Sequence, residues 1–368
     1  MAEAAAMRAV LEAPGVKGLE VLRLPCDDDT NEKDAVTDLI RRIVVTADPP
    51  VTSAFSVLNL GKVVELFAAW RRGLKGVPPY YAVKCNTNPA LLGALAALGA
   101  GFDCASPAEM DAVLALGVTA DRIIYAPMQA RAEHAASVGV NLTTFDSSVG
   151  GVAFHVGSAV SRVGVYDAAV EAARAVFDAA AARGTPPMRI LDIGGGFKAG
   201  TASTFQDACD VINSALTHHF GDVPGLQVIG EPGRYFAETP FTLAARVFGK
   251  RTRGEVREYW IDDGFFGTLC CVHVENYVPR PVPVSSRAAA GDGDGDGGGE
   301  SDETHPSTVF GPTCDSLDVV VKGYHLPELR IGDWLVFHEV GAYTTVLSCN
   351  FNGFSASDMK TYLVYSSV

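Results

Sequence analysis

Apolar and polar positions fall into two patterns along this chain. From residue 78 to about 240, short apolar runs alternate with Ala-rich stretches of helical spacing. The runs PPYYAVK (78–84), GAGFDCAS (99–106), DRIIYAP (121–127), VNLTTFD (140–146), GVAFHVGS (151–158), MRILDIGGG (188–196) and LQVIGEPGR (226–234) predict strands. PALLGALAALG (89–99), PAEMDAVLALG (107–117) and YDAAVEAARAVFDAAAARG (166–184) predict helices between them. Alternating strand and helix argues for a parallel sheet. Upstream, GLEVLRL (18–24) predicts a short strand, residues 34–45 a helix, and LNLGKVVELFAAWRRGL (58–74) a helix ending in basic residues. After about 241 the helical spacing mostly stops. FTLAARVFGK, REYWIDDG, GDWLVFHEVGAY and TYLVYSS predict strands of a β domain.

One link breaks the pattern. LTTF and GVAFHV are separated only by Asp146 to Gly150. A parallel crossover needs a dozen or more residues. The two runs therefore form a local hairpin, or one βα unit is absent. Seven predicted strands are one short of a closed barrel, which favours absence and predicts two unpaired edges. The expected fold is α/β: a (β/α)8-type barrel one βα unit short, plus a C-terminal β domain. The expected boundaries are 52–240 for the barrel and 12–51 with 241–368 for the β domain. The Gly/Asp-rich stretch 288–303 has no fixed ligand spacing and reads as a flexible loop rather than a calcium site.

Composition narrows the function classes. Of 368 residues, 48% are hydrophobic and 20% charged, enough for a large core. The net charge of −14 disfavours nucleic acid and anionic membrane as partners. The 8 cysteines lack metal spacing, which predicts free thiols in a reducing compartment and no metal site. The opening MAEAAAMRAVLEA carries Glu3 and Glu12 and no apolar signal core, and no apolar stretch is long enough for a membrane span. A cytoplasmic location is the expectation.

Polar and Gly-rich residues gather at the predicted strand C-termini, the face on which barrel enzymes place their chemistry. Lys84 ends an apolar strand; it is a snorkelling surface residue or a buried amine of lowered pKa able to attack a carbonyl. ILDIGGGF (190–197) is a tight turn or a phosphate cradle of bare backbone N–H groups. In GEPGR (230–234), Glu231 and Arg234 form a surface salt bridge or serve a ring nitrogen and a phosphate. His155 in FHVGS has a structural reading beside the functional one. Cys314 in GPTCDS is core, inert surface, or a reactive thiol.

Together, YAVKCN, GFDCAS, FHVGS, LDIGGGF, EPGR, GPTCDS, GDW, GAYT and FNGF resemble the eukaryotic ornithine decarboxylase family, in particular its plant-type lysine/ornithine decarboxylases. The resemblance spans about residues 12 to 366. It implies an alanine-racemase-like barrel that binds pyridoxal 5'-phosphate, and decarboxylation of ornithine or lysine to a diamine for polyamine synthesis. By position, Lys84 would hold the cofactor covalently, Glu231 would pair with the pyridine nitrogen, and His155 would stack on the ring. Ser158, Gly194, Gly195, Gly196, Gly233, Arg234 and Tyr343 would hold the phosphate, with Asp103 and Glu109 as acids near the lysine. Cys314 would steer a proton and Asp315 would bind the distal substrate amine, both from the partner subunit of a homodimer. The family carries a further βα unit where this chain has the short link, and Pro127-Met128 replaces a family run just before it. Val274-Glu275-Asn276 stands where the family's distal-amine pocket has a Tyr-Asp-His run; Glu275 reaches one methylene further. The implied alternative is an impaired, non-enzymatic homologue that binds a partner or regulator of the active family.

Overall fold

The computed structural model describes residues 2–24, 31–125, 150–158, 160, 162–200, 202–275, 277–287, 303–356 and 358–366. The chain divides into two compact units, Met1–Gly18 with Lys62–Glu238, and Leu19–Gly61 with Thr239–Val368.

The first unit holds the alternating pattern. The strands Tyr80–Ala82, Gly101–Cys104 and Ile123–Tyr125 pair in parallel, as do Gly151–Ala153, Ile190–Asp192 and Gln227–Ile229. A parallel bridge between Pro79 and Gly230 joins the two sets, with Tyr80 N–H donating to Gly230 O at 2.8 Å. Six described strands thus form one parallel run, bounded by Ile123–Tyr125 and Gly151–Ala153. The predicted LTTF strand, the short link and Pro127-Met128 lie outside the described residues.

The helices arise from local signals. Asn88 caps Pro89–Leu98 by accepting from Ala90 N–H at 3.0 Å, and Gly99 ends it with φ +100°. Val165–Ala182 buries Tyr166, Ala169, Val170, Ala173, Phe177 and Ala180, one face at helical spacing. Trp70, on helix Leu60–Gly73, is fully buried and meets Phe197 edge-on at 4.8 Å and Tyr235 at 5.5 Å. Phe197 directly follows the glycine tract, so this aromatic packing anchors the tract from behind.

The second unit is a β sheet in the order Val21–Leu24, Lys360–Ser366, Phe55–Asn59, Phe241–Arg253, Val256–Ile261, Thr304–Phe310, Val319–Pro327. Trp334–His338 also pairs with Phe241–Arg253, and Val282–Val284 pairs with Trp334–His338. Leu243, Ala245 and Val247 enter one apolar cluster and Ala244 another, the two-residue period of a strand.

Two expected boundaries shift. Residues 52–61 belong to the β unit, because Phe55–Asn59 pairs with Lys360–Ser366 and Phe241–Arg253. Residues 12–18 belong to the barrel unit. There the chain presses on Pro89–Leu98: a Cβ on Gly93 would stand 1.9 Å from Pro14 O. The Gly/Asp-rich stretch lies outside the described residues from 288 to 302.

Candidate active site

The strand Tyr80–Ala82 runs into a single turn, Val83–Cys85, that carries Lys84 at the strand's C-terminal end. Its neighbour Gly101–Cys104 places Ala82 opposite Asp103. Lys84 Nζ lies 2.9 Å from Asp103 Oδ2, with the lysine half exposed and Asp103 1% exposed. Asp103 Oδ1 is buried without a hydrogen-bond partner. Burial draws the Lys84 pKa down, but the Asp103 carboxylate outweighs it, with Glu231 and Glu109 adding, and the net shift is upward. Of the two sequence readings of Lys84, the structure does not give the buried amine of lowered pKa: here Lys84 is a half-exposed ammonium paired with a buried acid.

Asp192 ends the strand Ile190–Asp192, and Glu231 follows Gln227–Ile229. Burial raises the proton affinity of both carboxyls, which hydrogen-bond to each other and feel Asp103. Asp192 Oδ1 accepts the Gly194 N–H at 2.8 Å, and the Glu231 N–H donates to Gly194 O at 2.7 Å. The tract between them is tight. A Cβ on Gly194 (φ +64°) would lie 2.0 Å from Phe154 O. On Gly195 it would lie 2.8 Å from Glu231 O and 2.9 Å from His155 Nε2. On Gly196 (φ +101°) it would lie 2.7 Å from Gly157 O. No described residue accepts from the Gly195 or Gly196 N–H.

His155 follows Gly151–Ala153 and keeps one side open to solvent. Its Nδ1 accepts the Gly157 N–H at 3.0 Å, which places the proton of the neutral ring on Nε2. The protein packed round the ring, then the Lys84 charge, hold its pKa below the ordinary value. Arg234, starting the short helix Arg234–Ala237 after Gly233, donates Nε and Nη2 to Ser158 Oγ at 3.2 Å each and Nη1 to Glu238 at 2.6 Å. The surface Glu231–Arg234 salt bridge is not formed; Glu238 takes the guanidinium instead. Glu109 closes a reciprocal helix cap. Its Oε2 accepts the Ala105 N–H at 2.7 Å, and its own N–H donates to Ser106 Oγ at 3.3 Å.

Lys84, Asp103, His155, Asp192 and Glu231 thus form one electrostatic cluster in the barrel unit, with Ser158, the glycine tract and Arg234 built from the same strand ends. Motif reading does not single out Asp192; the signal in the sequence is an acid two positions before the Gly194–Gly196 tract.

The remaining candidates sit in the β unit. Tyr343 adopts φ +54°, and Cys270 Sγ lies 3.7 Å from its carbonyl oxygen. Glu275 ends the short helix Cys271–Val274, while Asn276 is outside the described residues. Cys314 is exposed, with Sγ 3.8 Å from Asn352 Oδ1, and Asp315 Oδ1 accepts the Leu317 N–H at 2.7 Å.

Known proteins decide the family. The pyridoxal binding domain of pyridoxal-dependent decarboxylases matches residues 60–150 and 148–238. A chloroplastic ornithine decarboxylase of Nicotiana glutinosa is 40% identical, over 91% of this chain and 89% of its own. The chain belongs to the ornithine decarboxylase family. The alignment with that relative runs over 392 positions, more than the 368 residues of the whole chain, so the relative carries residues with no counterpart here. The two family matches meet at 148–150, so the family pattern is interrupted at the short link. Antizyme inhibitor 2 of Xenopus laevis is 33% identical over 88% of this chain and 84% of its own. Among solved structures, the arginine decarboxylase of Paramecium bursaria Chlorella virus has a TM-score of 0.75 and 29% identity, covering 90% of this chain and 100% of that one. Lysine decarboxylase of Selenomonas ruminantium has a TM-score of 0.69 and 28% identity, covering 93% and 97%. These neighbours share the barrel-plus-β-domain type. No helix among the described residues is long and apolar enough to cross a membrane.

Proposed function

We propose that this protein decarboxylates ornithine or lysine with pyridoxal phosphate, releasing carbon dioxide and a diamine. The observation that carries the reading is the Lys84–Asp103 ion pair, set within electrostatic reach of Glu231, Asp192 and His155 at one end of a parallel sheet. The site suits the cofactor. Asp103 Oδ1 lacks a partner, side chains are barred from the glycine tract, and a cationic ring nitrogen would relieve the burial that lifts the Glu231 pKa.

When bound, the cofactor supplies an aldehyde and a ring that draws electrons from the bond to the substrate carboxylate. Lys84 would hold the aldehyde carbon, and Asp103 balances its charge whenever the amine is free. Glu231 would hold a proton at the ring nitrogen. Neutral His155 would lie against the ring without adding charge. Ser158, Gly194, Gly195, Gly196, Gly233 and Arg234 would hold the phosphate, joined by Tyr343. Cys314 would deliver a proton to the substrate Cα, and Asp315 with Glu275 would receive the distal ammonium, in a homodimer with shared sites. A cytoplasmic location is part of this reading; a fluorescent fusion of the full chain tests it against the plastid. The main test is an absorbance spectrum after incubation with pyridoxal phosphate, with carbon dioxide release from labelled ornithine and lysine. Wild type should gain near-visible absorbance and turn over; Lys84→Ala should do neither. Folded wild type that stays colourless overturns the reading.

A second reading is favoured by the interrupted family pattern and the likeness to an antizyme inhibitor: a non-enzymatic binding partner of active relatives. Retention of Lys84, Asp103, Glu231, Cys314 and Asp315 supports the enzyme. Mixed dimers in a pull-down with an active ornithine decarboxylase, without turnover by this chain alone, would favour the partner.

A further inference from the structure

The turn that carries Cys314 and Asp315 is held by an acid that the chemistry above does not use. Asp318 is 1% exposed. Its Oδ1 accepts the Phe265 N–H at 2.8 Å. Its Oδ2 accepts the Thr313 N–H at 2.9 Å and the Thr313 hydroxyl at 2.6 Å. Its carbonyl oxygen accepts the Gly311 N–H at 3.0 Å, and its own N–H donates to Asp315 O at 3.1 Å. No lysine, arginine or histidine among the described residues forms an ion pair with it.

Two glycines seal the carboxylate in. A Cβ on Gly264 would stand 2.3 Å from Asp318 Oδ1, and one on Gly311 would stand 2.1 Å from it. A carboxylate buried without a cation is tolerated only where several donors converge on it. Here the donors come from two segments. Thr313 directly precedes Cys314, and Phe265 fixes the carboxylate to the segment after the strand Val256–Ile261. The turn is thereby anchored while its outer face stays open. Cys314 is exposed, and Asp315 Oδ2 accepts from no described residue.

We propose that Asp318 is a positioning residue for Cys314 and Asp315, its buried carboxylate fixing the 311–318 turn through Thr313 and Phe265. The proposal rests on the reading that puts those two side chains at the substrate. An amide at 318 cannot satisfy all three donors, because its NH2 must face at least one of them.

The test compares full-length wild type with Asp318→Asn, Thr313→Val and Thr313→Ser. Three readouts are taken: cofactor absorbance, KM with kcat for ornithine and lysine, and the iodoacetamide alkylation rate of Cys314 mapped by peptide mass. Asp318→Asn should keep the cofactor absorbance, raise KM about tenfold as a buried donor loses its partner, and alkylate faster at Cys314. Thr313→Val should move the same way, with Thr313→Ser returning toward wild type because the hydroxyl is back. A folded Asp318→Asn with unchanged KM and unchanged alkylation overturns the proposal. If that variant does not fold, equal behaviour of Thr313→Val and Thr313→Ser overturns it. If wild type turns over neither amino acid, the decarboxylase reading fails. The alkylation rates alone then decide whether Asp318 holds the turn.

Discussion

In the barrel unit, Asp103, Asp192 and Glu231 lie within electrostatic reach of one another and of Lys84, and burial together with that company raises the proton affinities of Asp192 and Glu231. In the β unit, Asp318 and Asp262 are held by backbone N–H groups: Asp262 accepts from Arg246 at 2.7 Å and Ala54 at 2.8 Å, as Asp318 accepts from Phe265 and Thr313. The first arrangement leaves charge to be moved. The second commits the carboxylate's lone pairs to geometry. Acids of similar burial thus serve opposite ends, and the donor set separates them better than burial does.

Removing Glu231 gives the largest expected contrast. Glu231→Ala should lower turnover at least ~100-fold, the scale of a positioned proton-holding group, while the alkylation rate of Cys314 stays at the wild-type value. Coupled loss of both would join the two regions and break the distinction.

Next is the tract between Asp192 and Glu231. Gly194→Ala meets the Phe154 carbonyl and a positive φ at once, so urea unfolding should show a loss of about 1–3 kcal/mol or more. A near-neutral result would mean that the barrel site is not tightly built.

The pH dependence of stability follows in size. Glu231 has a folded pKa raised above its ordinary 4.5. Between that value and the raised one, the folded state keeps a proton that the unfolded chain has released. Glu231 therefore contributes stability fully present below 4.5 and lost as pH rises through the folded pKa; Asp192 has the same sign. In cofactor-free protein, urea midpoints should fall from pH 5 to pH 7.5, and Glu231→Gln should flatten that slope.

The smallest effect is local. Ser106→Ala removes the acceptor for the Glu109 N–H and should cost about 1 kcal/mol of stability. Because the Glu109 charge also reaches Lys84, a shift in cofactor absorbance beyond that loss would move Glu109 from helix cap to site acid.

The sequence alone determined what local period and residue type can carry: the alternation of strand and helix, the β-rich second half, and the identities of Lys84, Asp103, His155, Glu231 and Arg234 at strand ends. It also exposed the short link, which the family alignment locates at the same place. Tertiary structure alone decided the partners. Lys84 meets Asp103 because residues 19 positions apart stand on strands that lie side by side, and that contact decided the direction of its pKa, which the sequence leaves open. Phe55–Asn59 reads as part of the barrel until its neighbours, Lys360–Ser366 and Phe241–Arg253, claim it for the β sheet. Glu109 and Asp192 are both acids beside motifs, yet one caps a helix and the other binds Glu231. Asp318 accepts from a backbone N–H 53 residues away, and a backbone donor is the same group in every residue but proline. Such pairings leave no trace in side-chain pattern, so only the folded chain shows which acid is free to react and which is held.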